Sequence, residues 1–130
     1  MTDIVITQVP QLTRWGRLVA PAWVYSEEIS APPAGTALVN VLVPIGKRGY
    51  IYGVYIFADE ANSFKINWVS NGVSKSIRIP FLARGAVLAV FNTPINEGYP
   101  ADGGTSITIT NLTAGNTGMI YQAGLLVAVE

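Results

Sequence analysis

The chain contains no cysteine and no histidine. Without thiols there is no disulfide framework, no thiolate nucleophile and no cysteine-based zinc site. Without imidazoles, the commonest general base near neutral pH and the commonest transition-metal ligand are also missing. Charge is scarce. Eight basic and eight acidic residues cancel, and only 12% of the chain is charged, about half the share of an ordinary soluble domain. Long hydrophobic runs are lacking as well. The longest, Met119 to Val129, is broken by Gln122 and is shorter than the ~20 residues a helix needs to span a bilayer. Met1-Thr2-Asp3 has no basic leader, so neither a signal peptide nor membrane insertion is expected. There is no Walker-type phosphate loop and no serine-centred elbow.

What is present is apolar and hydroxyl-rich. Half of the 130 residues are hydrophobic, enough at this length for a single domain with a core that needs no covalent staples. Few charges are available to cover its outside, and a net charge of zero removes the repulsion that keeps copies apart. A homo-oligomer is therefore expected, with a trimer as the first guess. The alternative is a monomer coated in Ser, Thr, Asn and Gly.

The clearest local pattern runs from Tyr50 to Phe81. Tyr50 to Ala58 is apolar on both faces, as in a strand covered on both sides, and Gly53 in its middle hints at a bulge or close packing. Phe64, Ile66 and Trp68 then share one face, with Lys65 and Asn67 on the other. Asn71-Gly72 tolerates positive φ at both positions and closes a hairpin. Ile77, Ile79 and Phe81 return along the partner strand.

Around this stretch, further strands are expected at Thr36–Val43, Gly85–Asn92, Thr93–Pro100, Thr105–Leu112 and Met119–Val129. In Thr36–Val43, Ala37, Val39, Val41 and Val43 alternate with Leu38, Asn40 and Leu42. Before them, Asp3 to Val9 reads as a short strand stopped by Pro10. Leu12, Trp15, Leu18 and Val19 fit one face of a short helix, yet Thr13, Gly16 and Pro21 interrupt it and Trp23-Val24-Tyr25 is strand-like. Residues 1–35 are therefore read as an N-terminal arm with strand pieces, jointed at Ala31-Pro32-Pro33-Ala34-Gly35. Residues 36–130 are read as the body. Its eight evenly spaced strands predict an all-β antiparallel sandwich, jelly-roll-like, with an immunoglobulin-like sandwich as the alternative.

The chemistry left open is thin. Asp59, Glu60 and Asn62 crowd one corner and are the candidates for a calcium site, although acidic residues at corners are ordinary turn formers. Glu97 and Asp102 flank a second corner, and with Glu60 they are the only carboxylates considered for glycoside hydrolysis. Aromatic residues with nearby polar groups offer a sugar or partner surface. The contact candidates are Trp15, Trp23, Asn96, Tyr99 and Asp102, with Tyr50 as a further ring. Arg14-Trp15-Gly16-Arg17 and Lys47-Arg48 are the only close basic clusters. In a chain of pI about 6.2 they leave no electrostatic footprint for nucleic acid. Asn111-Leu112-Thr113 matches the N-glycosylation triplet. No cofactor is implied.

A Pro-rich arm to Gly35, a hydroxyl-rich body without Cys or His, and a long last strand through Tyr121-Gln122-Ala123-Gly124-Leu125-Leu126-Val127 resemble small jelly-roll virion proteins of archaeal viruses and phages. The resemblance implies a non-enzymatic structural or attachment role, as a capsid, decoration or spike component in the virion or host cytoplasm. It implies contacts with further copies, other virion proteins or a glycan. A carbohydrate-binding module is the alternative, and a carboxylate-based hydrolase comes third.

Overall fold

A computed structural model describes residues 4–7, 11–12, 18–19, 21–91 and 99–130, the first three segments by backbone pairing alone. Every regular element among them is a strand. The first 30 residues supply β1 (Ile4–Thr7), β2 (Gln11–Leu12), β3 (Leu18–Val19), β4 (Ala22–Tyr25) and β5 (Ile29–Ser30). The remainder supplies β6 (Ala37–Leu42), β7 (Gly49–Ala58), β8 (Asn62–Ser70), β9 (Val73–Phe81), β10 (Gly85–Val90), β11 (Tyr99–Ala101), β12 (Ser106–Asn111) and β13 (Ile120–Val129).

Two antiparallel sheets form the sandwich. The larger runs β1-β4-β13-β7-β10, and the smaller runs β6-β12-β8-β9. Among the described residues β2 and β3 pair only with each other, so residues 11–12 and 18–19 are strand, not helix. In chain order the pairing is nested. β4 pairs β13, β6 pairs β12, β7 pairs β10, and β8 pairs β9. An antiparallel ribbon paired first to last in this way, then rolled into two sheets, is a jelly roll.

The strands of the roll differ from those expected in the body. β4, from the segment read as an arm, supplies the first strand. β11 sits in line with β10 along β7 and so adds no new position. Residues 22–30 are thus built into the larger sheet through β13. The Pro-Pro stretch is the turn that carries the chain across to the smaller sheet. Asn111 holds this turn. Its Nδ2 donates to the carbonyls of Pro33 (3.0 Å) and Thr113 (2.8 Å), and its Oδ1 accepts from the Thr36 amide (3.0 Å). This buried amide is therefore a structural group, and the glycosylation triplet is not displayed.

The hairpin turn is as expected. Asn71 and Gly72 take φ of 52° and 74°, and Ser70 pairs Val73 across it. Two register shifts reset the side-chain alternation. Between β7 and β13, Leu126 faces Gly53 and Val127 faces Ile51, which leaves Tyr52 as the extra residue. This bulge lets Ile51 and Val54 both enter the core while Tyr50, Tyr52 and Tyr55 face outward. Between β6 and β12 a similar shift brings both Leu38 and Val39 inside, where the sequence placed them on opposite faces.

The core between the sheets is built from Leu38, Ile51, Ile56, Phe64, Ile66, Ile107, Ile109, Tyr121 and Leu125 with their neighbours. Burial of each such side chain contributes about 1.5–3 kcal/mol before chain entropy is counted. A second cluster lies on the outer face of the larger sheet: Trp23, Tyr50, Tyr52, Leu126 and Ala128, with Tyr25 and Tyr55 against them.

Candidate functional site

The corner between β7 and β8 brings together the three residues considered for calcium. Asp59 Oδ2 accepts the Ile120 amide at 3.0 Å, and its Oδ1 meets Arg84 Nε at 3.2 Å. Glu60 Oε2 accepts both the Asn116 amide and the Tyr121 hydroxyl at 2.8 Å, while Oε1 accepts from Asn116 Nδ2. Asn62 Oδ1 accepts the amide of Ser63 and the hydroxyl of Thr113, and its Nδ2 donates to Tyr121 Oη at 2.8 Å.

Each side-chain oxygen of this corner thus already faces an N–H, O–H or guanidinium donor. These contacts tie the carboxylate oxygens to the neighbouring loops, with one to two donors on each. No cluster of three or more acidic groups exists among the described residues. Asp59, Glu60 and Asn62, the residues considered for calcium, form a polar clasp that ties the β7–β8 corner to the β12–β13 loop. The Asn116 amide first, and then the Tyr121 hydroxyl, hold the Glu60 carboxyl below its ordinary range. Burial is the main cause that raises the Tyr121 phenol.

Asp102 does analogous work at the opposite end. Its Oδ1 and Oδ2 accept the amides of Asn71 (2.9 Å) and Gly72 (2.8 Å). The Gly72 amide, followed by that of Asn71, lowers its carboxyl below the usual value. Asp102 is therefore the brace of the β8–β9 turn. Glu60 and Asp102 lie at opposite ends of β8, which spans nine residues, or about 25 Å of strand. A glycosidase pair needs roughly 5–9.5 Å, so these two carboxylates do not form one.

The aromatic candidates separate. Tyr99 is 41% exposed, with its ring against Phe91 (5.2 Å) and Trp68 (5.8 Å). Trp23 is only 6% exposed and Tyr50 only 5%, which removes both from a sugar-stacking platform. Trp23 instead stacks on Tyr25 at 5.4 Å and 8°. Trp15, Asn96 and Glu97 lie outside the described residues.

The feature that residue-by-residue reading missed is a contrast between the two outer faces. The smaller sheet turns Ser63, Lys65 and Asn67 outward, opposite Pro80, Arg78 and Ser76, and Asn67 Nδ2 bridges to the hydroxyls of Thr108 and Thr110. That is a solvated face. The larger sheet is different: β4, β7, β10 and β13 contain no charged residue. Rows of register partners cross its outer face. Ala86, Phe57 and Gln122 form one row, Leu88, Tyr55, Gly124 and Tyr25 a second, and Val90, Gly53, Leu126 and Trp23 a third. At the β13 and β4 end these rows are buried or half-buried. At β10 they are open, with Leu88 66% and Val90 62% exposed. The signal was present in the sequence as four strands without charge.

No family model matches the chain, and no curated protein matches it. Among solved structures it is similar to the CBM22-1–GH10 modules of the N-terminal endo-1,4-β-D-xylanase 10B of Clostridium thermocellum, complexed with xylohexaose. The match covers 99% of this chain and 24% of that chain, at 11% identity and a TM-score of 0.32. So distant a likeness carries no functional argument.

Proposed function

We propose that the chain is a non-enzymatic, self-associating structural or attachment subunit, a capsid, decoration or spike component of a virus. The observation that carries the self-association is the uncharged outer face of the larger sheet, left open at Leu88 and Val90. A strand apolar on both faces belongs in a sheet covered on both sides, and an exposed apolar patch marks a contact surface. The viral setting rests on likeness of architecture, since eight-strand jelly rolls build capsids.

Residues 22–30 pair within their own chain, so the contact is assigned to the sheet face and not to that segment. Light scattering tests the reading. A mass at a multiple of 13.9 kDa is expected at micromolar concentration. A monomer that persists to about a hundredfold higher concentration overturns it.

A further inference from the structure

We propose that the open β10 margin of the larger sheet docks a second copy of this chain, with the two β10 strands antiparallel across a two-fold axis. The inference rests on the self-associating reading and gives that reading a surface.

Three observations converge on β10. First, it is the last strand of its sheet. Among the described residues no strand pairs its outer edge, the position at which a sheet can take up a further strand. Second, its outward side chains, Ala86, Leu88 and Val90, are exposed and apolar. They continue directly into Phe57 and Tyr55 on β7. Third, β10 and the strands behind it carry no charge of either sign.

The occupant follows from complementarity. A charged partner finds no counter-charge on these strands, and any charge it buried there would stay unpaired. The match for a neutral apolar margin is another such margin, and this chain supplies one. An antiparallel strand edge is its own complement. Two copies related by a two-fold continue the sheet from β7 through β10 into the partner's β10 and set Leu88 and Val90 side by side with their copies on the outer face. Edges usually carry Lys or Pro to prevent such pairing. β9, the exposed edge of the smaller sheet, has Lys75, Arg78 and Pro80. β10 has none of these.

The absence of cysteine makes the test clean. Leu88→Cys and, as a control on the far edge of the other sheet, Leu42→Cys each introduce a single thiol at an exposed site. Under mild oxidation Leu88→Cys is expected to form a covalent dimer at least tenfold faster than Leu42→Cys. Val90→Lys is expected to weaken association at least tenfold, with its melting curve reporting whether the fold is intact, and Leu42→Lys to leave association unchanged. If the chain associates, but the two thiols cross-link at equal rates and Val90→Lys associates normally, the β10 surface is overturned and self-association stands. If the unmodified chain is monomeric at high concentration, both readings fall.

Discussion

The carboxylate of Asp102 and the amide of Gly72 meet at 2.8 Å, although they are 30 residues apart in the chain. This bond, with its neighbour to Asn71, fastens the end of the β8–β9 hairpin to the segment entering β12. Asp102→Asn is expected to leave the sandwich folded and to speed hydrogen exchange at the amides of Asn71 and Gly72. Unchanged exchange at both amides would mean that the carboxylate does not hold the turn.

The same bond sets a pH dependence. Glu60 and Asp102 both titrate below their ordinary values in the folded chain, so the unfolded chain takes up protons first as pH falls. Their stabilisation is full above the ordinary carboxylate range, about pH 4–5. It is lost as pH drops through that range toward the folded-state values. The melting temperature should be flat from neutral pH to about pH 5 and then decline. The double variant Glu60→Gln, Asp102→Asn should melt lower at pH 7 and decline less steeply. Parallel curves for the two proteins would refute the assignment.

Tyr121 is fully buried, and its hydroxyl accepts from Asn62 and donates to Glu60. Tyr121→Phe keeps the ring against Phe64 (5.8 Å) and removes both hydrogen bonds. A loss of about 1–2 kcal/mol is expected from urea denaturation. A neutral result would show that Thr113 and Asn116 suffice to hold the clasp.

Gly124 faces Tyr25 across the β13–β4 ladder, and a Cβ there would run into the Tyr25 ring. Gly124→Ala should cost about 1–3 kcal/mol and change the fluorescence of Trp23, which stacks on that ring. Combined with Tyr25→Ala, the cost of Gly124→Ala should shrink, because the obstructing ring is gone. Full additivity would place the strain elsewhere.

Ile66 and Ile77 are register partners, yet Ile66 is 1% exposed and Ile77 36%. Ile66→Ala is expected to cost about 2–5 kcal/mol, and Ile77→Ala well under half as much. Equal losses would mean that β9 is covered in solution.

These partners also show what was legible in the sequence. Alternation correctly grouped Phe64, Ile66 and Trp68 on one face and paired them through Asn71-Gly72 with Ile77 and Ile79. Periodicity reports which side of a strand is apolar; it does not report that β9, at the sheet margin, overhangs the core. Gly53 correctly signalled a bulge. Leu38 carried no such signal, because a register shift reverses alternation without needing any particular residue. The role of β4 was obscured for a similar reason. Trp23-Val24-Tyr25 read as strand, but nothing local says that its partner lies about a hundred residues away. Asp59, Glu60, Asn62 and Asp102 have the composition of a ligand site, and no local pattern says that the Asn116, Ile120, Asn71 and Gly72 amides come to meet the three carboxylates.

The nested pairing also governs how the chain is made. A ribosome releases β4 long before β13, yet β4 reaches its place in the sheet only beside β13. Until then Trp23 and Tyr25 have no Leu126 or Gly124 to cover. The innermost hairpin, β8 with β9, closes a loop of two residues and can form at once, while each outer pair waits for a longer loop to close. Assembly should therefore run outward from Asn71-Gly72. The aromatic half of the large sheet is completed last and stays exposed to aggregation for most of synthesis.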